Sequence, residues 1–181
     1  MDQYNDINSK MSFLKIDEIS QNIIKKQSHI FMYDMSKNLD YFYDHITQYP
    51  ELQERLDGKI TQVRESQEKH WGRLFSGHFD STYQECVRRV GMAHYRINLE
   101  PFWYMSGYCF MLNKIVGRVA YQHRHRPARL TESLEALNKA VFLDMILALE
   151  VYHNAQDQAR QERQQKRQDL IDAFKGQSQG S

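Results

Sequence analysis

Proline and glycine, the residues that most often interrupt helices, are scarce in this chain of 181 residues, which has three prolines and eight glycines. The prolines stand at positions 50, 101 and 127, so the long stretches between them are free to form helix. Asn-Gly, the strongest short hairpin signal, does not occur, and Asp57-Gly58 lies between helical rather than strand patterns. These absences predict an all-α domain.

Long apolar runs and an excess of charge of one sign are also missing. No stretch approaches the ~20 apolar residues that span a bilayer, and the N-terminus lacks the basic start and apolar run of a signal peptide. The formal net charge is +1, so no global field favours nucleic acid or an anionic membrane as a partner. The two cysteines, Cys86 and Cys109, lie in apolar periodic segments and are predicted to be buried free thiols, which fits a cytoplasmic protein.

Apolar residues recur at helical spacing through most of the chain. We expect a polar, flexible N-terminus at 1–12 and one continuous helical stretch over about 17–49. Further along, we expect a short turn of helix at 51–56, a helix at about 59–75, and a helix that Asp80 or Ser81 caps. Two more helices are expected at 101–121 and from about 131 onward.

The helices at 101–121 and 131–152 carry apolar residues on two sides. A helix that is apolar on two sides contacts two partners, of which one is its own core. In the first helix one side holds Phe102, Ser106, Cys109, Asn113 and Val116, and the other holds Met105, Tyr108, Leu112, Ile115 and Val119. In the last helix one side holds Leu134, Leu137, Val141, Met145, Ala148 and Tyr152, and the other holds Phe142, Ile146 and Leu149. We therefore predict a helical homodimer through 101–121 and 131–152.

The composition changes after Tyr152, where residues 155–167 are rich in Gln, Arg and Glu. A polar helix that leaves its own domain is typical of a connection to a downstream domain, and a frayed tail is the alternative. The expected organisation is a folded domain at 13–153, a helical linker at 154–175 towards an output domain beyond these residues, and a disordered tail at 176–181.

One histidine, His94, lies within an apolar helical stripe. The stripe recurs at steps of four, three, four and three residues and consists of Tyr83, Val87, Val90, His94 and Ile97. A buried imidazole needs a hydrogen-bond partner or a metal, and a core histidine with a hydrogen bond is the commoner case. The positions three and four residues away hold no His, Cys or carboxylate, which disfavours zinc and di-iron sites. Haem needs one protein ligand and a large apolar slot, so both interpretations stay open.

The other histidines offer weaker candidates. His123 and His125 stand in a basic turn, where two histidines could hold a metal, but no carboxylate or cysteine completes a site. His70 and His78 flank a helix end and are predicted to be exposed.

Three separated segments bear on whether His94 is a core residue or a haem ligand. They are residues 42–52 (FYDHITQYPEL), 70–80 (HWGRLFSGHFD) and 90–104 (VGMAHYRINLEPFWY). In order and spacing they resemble the distal-tyrosine segment, the end of the distal helix and the proximal-histidine segment of globin domains in bacterial globin-coupled sensors. The resemblance covers about 13–153. Asn98 departs from the family's usual glycine and is expected to alter local packing rather than iron ligation.

The resemblance implies a role for each matching position. His94 would be the proximal ligand of the haem iron, Tyr43 would donate a hydrogen bond to O2 in the distal pocket, and Tyr104 would lie beside His94 and bond its ring or the neighbouring backbone. The remaining pocket residues that it implies are Phe42, Val63 and Gln67 on the distal side and Val90 and Ile97 on the proximal side.

The resemblance also implies the fold and the function. The fold would be a sensor-type globin with helices packed around haem b, a short or absent D helix and a long C-terminal helix. The domain would not be an enzyme: it would bind O2, with CO and NO as further ligands, and transmit the ligation state through the dimer to a C-terminal output. The alternatives are an oxygen-binding or NO-detoxifying globin without signalling and a haem-free helical interaction module.

Overall fold

The computed structural model describes residues 6–56 and 58–178 of the protein, with side chains described as far as residue 172. Within these ranges there is no strand, and the chain forms a series of helices. These are α1 (Ile7–Phe13), α2 (Glu18–Phe31), α3 (Met35–Ile46), α4 (Pro50–Leu56), α5 (Ile60–Leu74), α6 (Ser81–Arg96), α7 (Pro101–His123) and α8 (Pro127–Ser178). The all-α prediction is confirmed.

Two segments differ from the expectation. The N-terminal stretch that we expected to be flexible contains α1, whose Ile7 is 4% exposed and belongs to the core. The helical stretch expected over 17–49 is divided between α2 and α3 at Asp34, whose φ of 56° is left-handed. Aspartate tolerates this conformation better than most residues, and neither proline nor glycine marks the break, so the break could not be predicted from the residues around it.

Helix α6 lies directly on α8. Its start is fixed by Asp80, whose side chain accepts a hydrogen bond from the Tyr83 N–H at 2.8 Å, as the capping prediction required. At Gly91 the two helices approach so closely that a Cβ atom would stand 2.6 Å from the Ala148 carbonyl oxygen. Glycine is therefore needed here for packing, and it brings the stretch of α6 that ends in His94 against α8.

Both long helices have one buried and one exposed apolar side, as the sequence indicated. The buried side of α7 carries Tyr104, Tyr108, Met111, Ile115 and Val119. The exposed side includes Phe102 at 63% exposure and Cys109, so the expectation that both cysteines are buried is wrong for Cys109 and holds for Cys86. On α8, Phe142 and Ile146 are exposed at 51% and 37%.

Helix α8 extends well beyond the folded body. Its 52 residues correspond to about 78 Å at 1.5 Å per residue. Every side chain described from Arg160 to Asp172 is exposed. We expected residues 176–181 to form a disordered tail. Residues 176–178 instead belong to α8, and residues 179–181 lie outside the described residues. Within the described ranges no helix is both long and apolar enough to cross a bilayer.

Candidate functional site

His94 lies in the last turn of α6, with its imidazole against the aromatic ring of Tyr104 at a centroid distance of 4.9 Å. Its Nδ1 atom is buried and has no hydrogen-bond partner among the described residues. An imidazole nitrogen buried without a partner is costly, because its bond to water is lost and nothing replaces it. The sequence left two interpretations of His94 open, a hydrogen-bonded core residue and a haem ligand. The packing does not supply the hydrogen bond to Nδ1 that the first interpretation requires.

The surroundings of His94 keep its ring neutral. The pKa of His94 is lowered to about 4, mainly by burial and also by the nearby His70, while Asp144 acts in the opposite direction. The imidazole is uncharged at neutral pH, which is the form that coordinates a metal.

The end of α6 is held by a contact from α4. Arg55 donates from Nη1 to the Ile97 carbonyl oxygen at 2.6 Å and also to the Asn98 carbonyl oxygen. Asn98 has a φ of 51°, a conformation that glycine adopts freely and asparagine tolerates. Asn98 therefore accommodates a turn that glycine would also adopt, and the Leu99 N–H bonds the His94 carbonyl oxygen at 3.0 Å.

Tyr43 and Gln67 meet in the interior between α3 and α5. The Tyr43 hydroxyl donates to Gln67 Oε1 at 2.7 Å, and Tyr43 is only 6% exposed. Burial raises the pKa of Tyr43 well above its ordinary value, so the phenol remains a protonated donor. The Phe42 ring packs edge-on to Tyr43 at 5.3 Å. Tyr43 therefore contacts both Gln67 and Phe42.

The other pocket residues inferred from the sequence lie nearer the surface. Val63 is 38% exposed on α5, one turn before Gln67, and Ile97 is 40% exposed immediately after α6. Val90 is half-buried. Tyr104 is buried beside His94, but its hydroxyl donates to the Tyr108 hydroxyl at 3.2 Å rather than to His94.

A carboxylate that the sequence analysis passed over, Asp144 of α8, is completely buried at the centre of a polar cluster. Its Oδ2 atom accepts from His70 Nε2 at 2.8 Å and from the Tyr108 hydroxyl, and its Oδ1 atom accepts from the Tyr83 hydroxyl. Because these donors belong to α5, α6 and α7, one side chain of α8 connects four helices. Through Tyr108 the cluster continues to Tyr104, and so to the ring of His94.

His70 and Asp144 form a buried ion pair, so the prediction that His70 is exposed is wrong. Burial lowers the pKa of His70, but the charge and hydrogen bond of Asp144 outweigh burial and raise it. Burial raises the pKa of Asp144, but the charge of His70 and the three hydrogen bonds have the larger effect, so the pKa of Asp144 is lowered overall. The sequence signal was available, because Asp144 follows Val141 by three residues and precedes Ala148 by four, on the apolar side of α8.

Comparison with known proteins shows the family and the fold. The Protoglobin family model matches residues 3–158. The chain belongs to the Protoglobin family. Among solved structures it is similar to the globin domain of the Geobacter sulfurreducens globin-coupled sensor, with a TM-score of 0.74 and 16% sequence identity over 80% of this chain and 96% of that domain. The fold is that of a sensor globin, and membership in the family implies a haem cofactor.

The residues present fit such a group. His94 offers a neutral imidazole on a helix whose end is fixed, and one of its nitrogens is buried without a partner. The protonated phenol of Tyr43 packs against the Phe42 ring, which in turn packs against Phe110. One imidazole and an apolar slot are the requirements for haem. Clusters of three or more side chains suited to another metal do not occur in the part of the chain that the structure describes.

Replacing the buried carboxylate tests the importance of the polar cluster. We expect Asp144→Asn to lower the free energy of unfolding by about 3 kcal/mol, because His70 loses its counter-charge while both remain buried. Urea unfolding followed by circular dichroism measures the change. Asp157→Asn is the control: it removes a half-exposed carboxylate of the same helix that pairs with His153 and Arg160, and should cost less than about 1 kcal/mol. Equal losses in the two variants would contradict the assignment.

Proposed function

We propose that the chain is a non-catalytic, haem-based O2-sensing domain that works in the cytoplasm as a homodimer and transmits its ligation state along α8 to a C-terminal output. The observation that carries the proposal is the neutral imidazole of His94, which has a buried nitrogen without a partner at the end of a helix packed on α8.

His94 would hold haem b on the proximal side and Tyr43 would face the distal side. When bound, haem supplies an iron with one position open to a diatomic gas. The role of His94 is to present an unprotonated nitrogen, and Arg55 fixes the end of the helix that carries it. Phe42 and Phe110, whose rings lie 5.6 Å apart, exclude water beside Tyr43. CO and NO would enter the same pocket.

Tyr43 provides discrimination between gases. Its hydroxyl donates a hydrogen bond to the Gln67 side chain, so a bound gas within reach would accept this hydrogen bond in place of Gln67. O2 held in a haem pocket carries partial negative charge and accepts such a bond, whereas CO carries less charge and gains less. Gln67 keeps the phenol oriented when no gas is present.

The absorption spectrum of the protein tests haem binding. We expect a Soret band in the chain reconstituted with haem and its loss in His94→Ala, because the single protein ligand is removed. Added imidazole should restore the band by filling the space that the side chain leaves. His153→Ala, which removes a histidine whose side chain is 70% exposed on α8, should leave the spectrum unchanged. A colourless wild-type protein after reconstitution would refute the haem proposal and favour the haem-free module.

Gas affinities test the role of Tyr43. We expect Tyr43→Phe to weaken O2 binding roughly ten- to a hundredfold, which corresponds to about 1–3 kcal/mol for one hydrogen bond to a charged acceptor, and to change CO binding much less. Flash photolysis and stopped-flow mixing measure both gases. Tyr41→Phe, on the same helix but 49% exposed, is the matched control. Equal losses for O2 and CO in Tyr43→Phe would contradict the proposed hydrogen bond.

Two connections support transmission from His94 to α8. The first is direct packing, because α6 touches the backbone of α8 where Gly91 meets Ala148. The second is the polar cluster, which joins Tyr104 beside His94 to Asp144 of α8. A displacement of α6 would therefore act on α8 itself, and a packed interface with two arrangements can amplify a small shift.

The exposed apolar sides of α7 and α8 support the homodimer. Phe102, Met105 and Phe142 are exposed at 63%, 49% and 51%, which leaves a large apolar area without a partner in a single chain. A second copy would cover it.

Sedimentation measures the oligomeric state. We expect a particle of twice the 21.7 kDa chain mass, and a shift to monomer in Phe142→Glu, because a carboxylate buried in an apolar interface loses its hydration. Phe13→Glu adds the same charge at an 88% exposed phenylalanine of α1 and should remain dimeric. A monomeric wild-type chain would refute this part of the proposal.

A further inference from the structure

A cavity lies between α2 and the turn that joins α7 to α8, away from His94. Its volume is about 660 Å³, within the range of small-molecule sites. His123, at the end of α7 and only 5% exposed, forms part of its wall, and its Nε2 atom lies 3.2 Å from Gln27 Oε1 of α2. His123 is 19 residues from Tyr104 on the same helix, or about 28 Å along its axis, so the cavity is separate from the proposed haem site.

The walls of this cavity are strongly basic. Four permanently charged cations line it, namely Lys26, Arg124, Arg126 and Arg129, whereas Glu132 carries the one carboxylate among the described lining residues. The histidines His29, His123 and His125 add three further groups that can become cationic. The whole chain carries a net charge of only +1, so this local excess of positive charge is not apparent from the composition.

The four cations are not held in close ion pairs by the described side chains. Among the described side chains, none of the four forms an ion pair within 4.0 Å, and Arg124 instead bonds the Tyr121 carbonyl oxygen and lies over the Tyr121 ring. The pKa of His123 is lowered from its ordinary value, first by burial and then by Arg129, Arg126 and His29. Like charges held together around a cavity repel one another, and a multiply charged anion would relieve that repulsion.

We propose that this cavity is a binding site for a compact polyanion, a di- or triphosphate group, held by Arg126 of the turn, Arg129 of α8 and Lys26 of α2. Phosphate suits arginine, whose planar fork donates two parallel hydrogen bonds to its oxygens. A chain of phosphates could contact cations on both walls at once, whereas a single phosphate would leave several of them unpaired. The phosphates could belong to an inorganic oligophosphate or to a nucleotide.

Isothermal titration calorimetry of the purified chain with inorganic tripolyphosphate, ATP and AMP tests the proposal. We expect one site per chain for tripolyphosphate and ATP, binding that weakens as salt is added, and AMP at least about tenfold weaker, because fewer cations are paired. Equal affinity for tripolyphosphate and ATP would identify the phosphate chain as the recognised group, and a clear preference for ATP would identify a nucleotide. Absence of binding by both, or AMP binding as tightly as ATP, would overturn the proposal.

Matched variants separate the cavity from overall charge. The double variant Arg126→Gln and Arg129→Gln should weaken tripolyphosphate binding at least about tenfold. Arg160→Gln with Arg163→Gln removes the same charge from the exposed part of α8 and should have no effect. Glu132→Gln should tighten binding severalfold, a gain that a damaged fold would not produce. Equal weakening by the two double variants, or no change in any of them, would refute the assignment.

Discussion

The buried carboxylate of Asp144 is the interaction on which the arrangement of the helices depends. A charge with no exposure to water is tolerated only when hydrogen bonds and an opposite charge replace its hydration, and here His70, Tyr83 and Tyr108 supply both. Each donor comes from a different helix, so the requirement of one side chain sets the relative positions of α5, α6, α7 and α8. An apolar core would tolerate small displacements of these helices more easily than this cluster does.

The same cluster lies next to His94. Tyr104 is shared, because its ring contacts His94 while its hydroxyl bonds Tyr108, which in turn bonds Asp144. His70 belongs to α5, one turn after Gln67, the partner of Tyr43. The helices that carry Tyr43's partner Gln67 and the ring contact of His94 are therefore both bonded to α8 through Asp144. On the function proposed above, this places a short physical connection between the candidate site and the helix that extends beyond the folded body.

The near-neutral composition conceals two separate concentrations of charge. One is the buried pair of His70 and Asp144, where each partner shifts the pKa of the other towards the ionised form. The other is the basic cavity at the turn between α7 and α8, where Arg126 and Arg129 form no ion pair with a described side chain. The net charge of the sequence reveals neither the buried pair nor the basic cavity, because it contains no information on which residues the fold brings together.

The sequence by itself determined the helical class, the position of His94 on an apolar stripe, the two-sided character of α7 and α8, and the three segments that resemble sensor globins. These depend on local periodicity and on motifs, which adjacent residues carry. Tertiary structure alone decided the break at Asp34, the burial of His70 and the assembly of the Asp144 cluster, whose members are 36, 61 and 74 residues from Asp144. Their hydrogen bonds exist only after α5 to α8 have packed, because no local pattern specifies which distant donor will face a buried carboxylate.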